Sequence, residues 1–369
     1  MSKLIEMNYM KIAIKNSLLV LAAAMCVLSC KDKEEETLPS LDGSPAFRLD
    51  PYYKLGDRID ITPGTVNAKE GVEVRYAWKI SSLMDSADTS EFEDGRFSFV
   101  FDKDTTGSFT VSCTAFADGY YSSTGTAGIT LVKAGLNSGS IQDVTFKEDD
   151  GNFWDERPGQ PEGKQSYYTT TIGEDTWFKQ NLAYTTTENK IGLAYLDCEA
   201  TGDVMGRFYS WEEAMTACPD GWRLPTESEF LKAAEAVTGK SLSLVEDWKD
   251  VNGAFMVYAS FNGDQLWEYW PAVKVSNDSG FSALSFGWCN LGEKKFQGVT
   301  KSAAFWTADE VNDSQAIYRY MVVDKPYFYR GIGDKENFGH GSNAEEYQRR
   351  IPSLSHTLIE DVEHRVVFI

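Results

Sequence analysis

The sequence predicts a multidomain protein: an all-β sandwich over residues 44–133, then an α+β, loop-rich domain over residues 144–369. Three observations carry this. Between residues 44 and 133 short apolar–polar alternations follow one another without helical periodicity. The two Ser/Thr-x-x-Glu capping boxes, Ser210-Trp-Glu-Glu213 and Thr226-Glu-Ser-Glu229, both lie in the second half. Between the halves, residues 134–143 hold Gly135, Asn137, Ser138, Gly139 and Ser140, the composition of a linker.

An apolar run from Ser17 to Cys30, with small residues at its end, is preceded by Lys11 and Lys15. That is the anatomy of a secretory signal over residues 1–29. It is too short for a membrane span, which needs about 20 apolar residues. Val27-Leu28-Ser29-Cys30 resembles a bacterial lipobox. The resemblance implies cleavage before Cys30, a diacylglycerol on its sulfur, and attachment to a membrane through that lipid. The acidic run Lys31-Asp-Lys-Glu-Glu-Glu36 resembles the surface-export signal of Bacteroidetes lipoproteins, implying an outer-membrane protein exposed at the cell surface. Residues 30–43 read as a flexible, polar tether.

In the sandwich, Val72 to Ile80 places Val72, Val74, Tyr76, Trp78 and Ile80 on one strand face. Phe97–Phe101, Ser108–Ala115 and Thr126–Val132 continue the pattern, for about seven strands in all. Cys113 falls on the inward side of its strand and reads as a small buried apolar residue. The order Tyr76-Ala-Trp78, Phe101 to Phe109 and Ala115 to Tyr120 is similar to bacterial Ig-like and PKD-type surface modules.

In the second domain the capping boxes predict two short helices. One runs from Trp211 to about Ala217 and is ended by Pro219 and Gly221. The other follows Thr226, with Phe230, Ala233, Ala234 and Val237 on one face and Gly239 as its stop. Ala254–Tyr258 and Ala316–Val323 read as strands among loops rich in Gly, Asn and Asp. Two helices on a loop-rich antiparallel sheet form an α+β domain.

The motifs here stand in a recognisable order: Gly173-Glu-Asp-Thr-Trp177, Asn181-Leu182, Gly206 to Trp211, Ala217-Cys-Pro-Asp-Gly-Trp-Arg-Leu-Pro-Thr226, Gly280 to Leu284, and Ala304-Phe-Trp-Thr-Ala308. Together they resemble the Fibrobacter succinogenes major paralogous domain. The resemblance implies a secreted or surface lipoprotein module, a fold akin to C-type-lectin-like and formylglycine-generating proteins, and no general catalytic activity. The chain departs from the family in two places. Val366 stands where members carry a cysteine that would partner Cys218, and Asn152–Gly163 is an insertion that reads as a polar surface loop.

The formal net charge of −21 sets the chain against nucleic acid and anionic lipid heads. Six cysteines are present. Cys26 leaves with the signal and Cys30 takes the lipid. Cys113, set aside as apolar core, leaves Cys198, Cys218 and Cys289 as candidate disulfide cysteines in an oxidising compartment. No zinc spacing, nucleophile elbow or phosphate loop occurs, and the histidines are His340, His356 and His364, all late in the chain. Catalytic residues, metal ligands and cofactors are therefore expected to be none. Trp267, Tyr269 and Trp270 form the candidate ligand-binding aromatics, a platform for a sugar ring or a peptide; alternatively Trp267 and Trp270 fill the core. The functional expectation is a non-enzymatic surface lipoprotein whose second domain binds glycan or protein on a β-sandwich stalk. The alternative is an enzyme with a formylglycine-generating-like or hydrolytic centre in that domain, with Cys289 as its candidate thiol.

Overall fold

The computed structural model describes residues 37–160, 163–268, 273–337 and 365–366. Cys30 with its signal, Tyr269, Trp270 and the three histidines lie outside the described residues. Within them the protein is mostly β-sheet with few helices. No helix there is long and apolar enough to cross a membrane.

In the N-terminal part, the strands Tyr52–Lys54, Ser123–Val132, Gly107–Phe116, Arg75–Ile80 and Asp88–Thr89 form one five-stranded sheet in that order. Arg58–Ile61 pairs with Phe97–Val100 in a second, two-stranded sheet. Both contribute to one core, where Trp78 stacks on Phe97 with ring centroids 5.2 Å apart. Alternation decides what enters it. Tyr76, Trp78 and Ile80 are buried from one strand, and Val111, Cys113 and Ala115 from its neighbour. Val72 and Val74 pack on the same core, although the strand itself starts at Arg75.

Structure begins before the expected end of the tether. Leu41 is buried in this core and Asp42–Gly43 pairs with Val66–Asn67. The pairing needs a bare Cα at Gly43, whose φ is +95° and where a Cβ would lie 2.3 Å from the Thr65 carbonyl oxygen.

The stretch at 134–143 is also packed. Leu136, Ser140 and Ile141 are buried, and Ile141–Gln142 pairs with Ser260–Phe261 of the second domain. These residues belong to an apolar cluster that joins the two halves, with Val132 and Tyr52 on one side and Val204, Met205, Val257 and Leu266 on the other. Polar contacts cross the same junction. Lys54 pairs with Asp203 at 3.1 Å, Cys198 Sγ donates to the Tyr52 carbonyl, and Asn262 Nδ2 donates to the Leu131 carbonyl. A glycine-rich composition marked a chain break, but two leucine-sized side chains suffice to pin it down.

The second domain holds two four-stranded sheets. One runs Gly151–Asp155, Gln165–Ile172, Asp175–Phe178 and Arg365–Val366, the last pair parallel. The other runs Trp248–Lys249, Tyr327–Asp334, Gln315–Val322 and Ser302–Asn312. Among the described residues two α-helices, Trp211–Ala217 and Glu227–Thr238, pack beside these sheets, and a third, Glu199–Met205, lies at the junction against Tyr52–Lys54 and Ser123–Val132 of the N-terminal sheet. Both predicted helices carry complete capping boxes, and Gly239 ends the longer one in the left-handed region at φ 65°. The expected strand at Ala254–Tyr258 is not one. Asn252–Ala254 is a 3₁₀ turn, and Phe255, Met256 and Val257 are buried within loop structure.

Candidate ligand-binding surface

The family-like motifs build the frame of the second domain. Trp211 Nε1 donates to the Thr307 carbonyl and Trp306 Nε1 donates to the Tyr209 carbonyl, so two motifs about a hundred residues apart tie each other down. Trp222 packs on Phe178 with centroids 4.1 Å apart. Arg223 pairs with Glu229, which also closes the capping box on Thr226. The Pro225 carbonyl accepts from the Ala308 amide. Each of these groups is occupied in holding loops and helix ends together.

Trp267 belongs to the same frame. It is 1% exposed and its Nε1 donates to the Ala283 carbonyl, so no ring face is left for a ligand. The expected platform therefore loses its first member, while Tyr269 and Trp270 fall outside the described residues. Periodicity could not separate the two readings, because a cluster of three rings in four residues suits a core and a platform equally.

The candidate disulfide cysteines are free thiols, as is Cys113. Each is packed in its own surroundings. Cys198 donates to Tyr52 at the domain junction, Cys218 donates to Ala214 at a helix end, and Cys289 sits buried in the hairpin of Trp288–Asn290 with Lys295–Gln297. Burial pushes the Cys289 thiol up to about 12, and Cys218 likewise. At neutral pH Cys289 is a protonated, inaccessible thiol, which does not fit the reactive thiolate of formylglycine-type chemistry.

A small cavity of about 30 Å³, bordered by Asn181, Arg207, Tyr209 and Trp306, has room for about one or two waters. Small-molecule pockets run to about 300–1,000 Å³. Among the described residues no three His, Cys, Asp or Glu side chains converge as a metal site would require.

Surface aromatics lie elsewhere. The segment from Asn152 was expected to be a loop, but Gly151–Asp155 is a strand paired with Gln165–Ile172. The inward residues explain it. Phe153 packs on Phe178 and Trp222, and buried Asp155 pairs with Arg157. Arg157 in turn donates to the Ala217 and Cys218 carbonyls and lies over the Tyr184 ring. The outward residues are then Asn152 and Trp154, opposite Tyr168 and Ser166. Trp154 is 50% exposed. Ser166 Oγ bonds Asn152 Oδ1 at 3.0 Å, and Lys164 Nζ lies 4.6 Å from the Trp154 ring centre. Phe146, also exposed, meets Tyr168 edge to face at 4.8 Å. One sheet face thus presents an open indole, an amide, a hydroxyl and an ammonium, bordered by two further rings. No single-sequence signal marked it, because Asn, Asp and Gly around Trp154 read as turn residues.

Comparison with known proteins agrees with the motif frame. No curated protein matches the chain. Residues 170–349 match the Fibrobacter succinogenes major domain. Such domains point to a surface-associated protein. The segment carrying Trp154 precedes the matched span. With its motif tryptophans cross-tied as described and this span matched, residues 170–349 of the chain are a Fibrobacter succinogenes major domain.

Proposed function

We propose that this protein is a non-enzymatic, surface-exposed outer-membrane lipoprotein, anchored through a lipid on Cys30, whose second domain binds glycan. In this reading the N-terminal part is an Ig-like spacer and the second domain has a C-type-lectin-like fold. The single observation that supports it best is the exposed Trp154 face. A half-exposed indole is costly to leave in water and offers a flat apolar surface to the C–H face of a sugar ring. Asn152 and Ser166 stand at its margin as donors and acceptors for ring hydroxyls, and the Lys164 ammonium lies over the ring itself. Lys164 is itself exposed and weakly paired with Glu156 at 3.5 Å, so a ligand can displace it at little cost. A shallow face of this kind suits an extended polymer better than a small metabolite.

The test is a glycan array with the purified mature protein, followed by titration of the strongest hit against wild type and Trp154→Ala. Binding that falls at least tenfold in the variant, with an unchanged melting temperature, supports the reading. Binding indifferent to Trp154, or no glycan bound at all, overturns it. For the anchor, metabolic labelling with a fatty-acid analogue should tag wild type and leave Cys30→Ser unlabelled.

A further inference from the structure

We propose that Lys179 and Asp150 condense into an intramolecular amide, a covalent cross-link within the second domain. The two side chains are 0% and 4% exposed, with Nζ 2.8 Å from Oδ2. They flank different strands of one sheet. Asp150 immediately precedes Gly151–Asp155 and Lys179 immediately follows Asp175–Phe178, on either side of Gln165–Ile172. The amide would therefore clamp the two flanking strands across the central one.

Several features favour reaction over a resting ion pair. The exposed Phe146 ring lies 5.1 Å from Lys179 Nζ and shields the pair from solvent. In such surroundings two opposite charges lose much of their hydration, and a neutral amide relieves that cost. Burial is the strongest influence on Lys179 and lowers its affinity for its proton; Asp150 opposes this without cancelling it. The reactive free amine is thus easier to reach than on an exposed lysine. The Lys147 backbone N–H donates to Asp150 Oδ2 at 2.8 Å, where it can stabilise the oxyanion of a tetrahedral intermediate. Asp150 Oδ1 is buried and has no partner, so half of the carboxylate is held by nothing. Fixing both groups in contact supplies the proximity that makes an otherwise slow condensation feasible.

The step balances without a co-reactant. The Lys179 ammonium transfers one proton to the Asp150 carboxylate. The freed Nζ lone pair then forms a bond to Cγ. One carboxyl oxygen departs as water with two of the three original ammonium protons, and the third stays on the amide nitrogen.

Intact-mass measurement of the purified wild-type protein decides the matter. The expected result is a mass one water below the sequence value, which is calculated for the processed chain from Cys30 with its lipid included. After unfolding and digestion, a branched peptide should join the segments holding Asp150 and Lys179, with no tryptic cleavage at Lys179. Asp150→Ala and Lys179→Arg should each restore the sequence mass. A wild-type mass equal to the sequence value, with an ordinary peptide ending at Lys179, overturns the proposal and leaves a plain buried ion pair.

Discussion

The two halves of the molecule solve the same problem with different chemistry. In the N-terminal part, long strands pair Gly107–Phe116 with both neighbours, so most backbone polar groups meet each other in ladders. Its core can then be almost wholly apolar, from Ile59 and Trp78 to Ile129. The second domain has long loops whose carbonyls find no ladder. There, basic side chains reach inward and donate to them. Arg319 serves Leu244 and Glu246, Arg207 serves Ala183, Lys179 serves Gly280, and Lys147 serves Ser279. The two buried arginines also hold an anion each, Glu227 for Arg319 and Glu199 for Arg207. Loop-rich architecture therefore carries buried charge as a consequence of unsatisfied backbone.

The sharpest way to break this comparison is Arg319→Met. Arg319 is fully buried, lies 3.7 Å over the Trp248 ring, and bonds Glu227 together with two loop carbonyls. Removing it strands Glu227 with Arg330 alone and leaves those carbonyls unmet. The expected loss is about 3–5 kcal/mol, read by chemical denaturation. A loss under about 1 kcal/mol would mean that the loops hold themselves. In the N-terminal part, Trp78→Phe is the counterpart. It removes a donor to the Gly95 carbonyl and part of a fully buried ring, for about 2 kcal/mol.

Acid should separate the halves further. Burial alone would raise the Glu229 carboxyl, but Arg223 and the Thr226 amide outweigh it and hold the group below its ordinary 4.5. A carboxylate with a depressed folded pKa stabilises the fold above its unfolded pKa and loses that contribution as pH falls through its folded value. The second domain should thus melt progressively earlier below pH 4.5, and Glu229→Gln should flatten that slope. Thermal melts across pH 2–6 check it; parallel slopes in wild type and variant would exclude Glu229 as a source of the acid response.

How much of this was legible beforehand follows from the same contrast. Where one local rule governs, sequence sufficed. Alternation placed Tyr76, Trp78, Ile80 and Cys113 inside, and the two capping boxes located their helices to the residue. Where tertiary contacts overrule local signals, it did not. Glu199–Met205 has no side-chain cap and carries Gly202 mid-helix, yet Ala200, Thr201, Val204 and Met205 are buried against neighbours from several segments. Leu136 and Ile141 turned an apparent linker into a junction. The Trp154 face depends on Phe153 and Asp155 finding partners some sixty to seventy residues away, Trp222 for one and the Arg157-bound carbonyls of Ala217 and Cys218 for the other. No window on the sequence contains those pairings.

The smallest effect sharpens the comparison by holding the charges constant and changing only their depth. Lys294 pairs with Asp197 at 2.6 Å, a contact as short as many buried ones, but the two side chains are 57% and 54% exposed. Water screens the attraction, and ordering two long, solvated groups offsets most of the remainder. Lys294→Ala should therefore cost about 0.5 kcal/mol or less, and added salt should erase even that. If it costs as much as Arg319→Met, then pairing itself stabilises this domain and the loop carbonyls contribute little. If it costs nothing measurable, the weight of Arg319 lies in the backbone groups it satisfies, which an exposed lysine of the same charge does not reach.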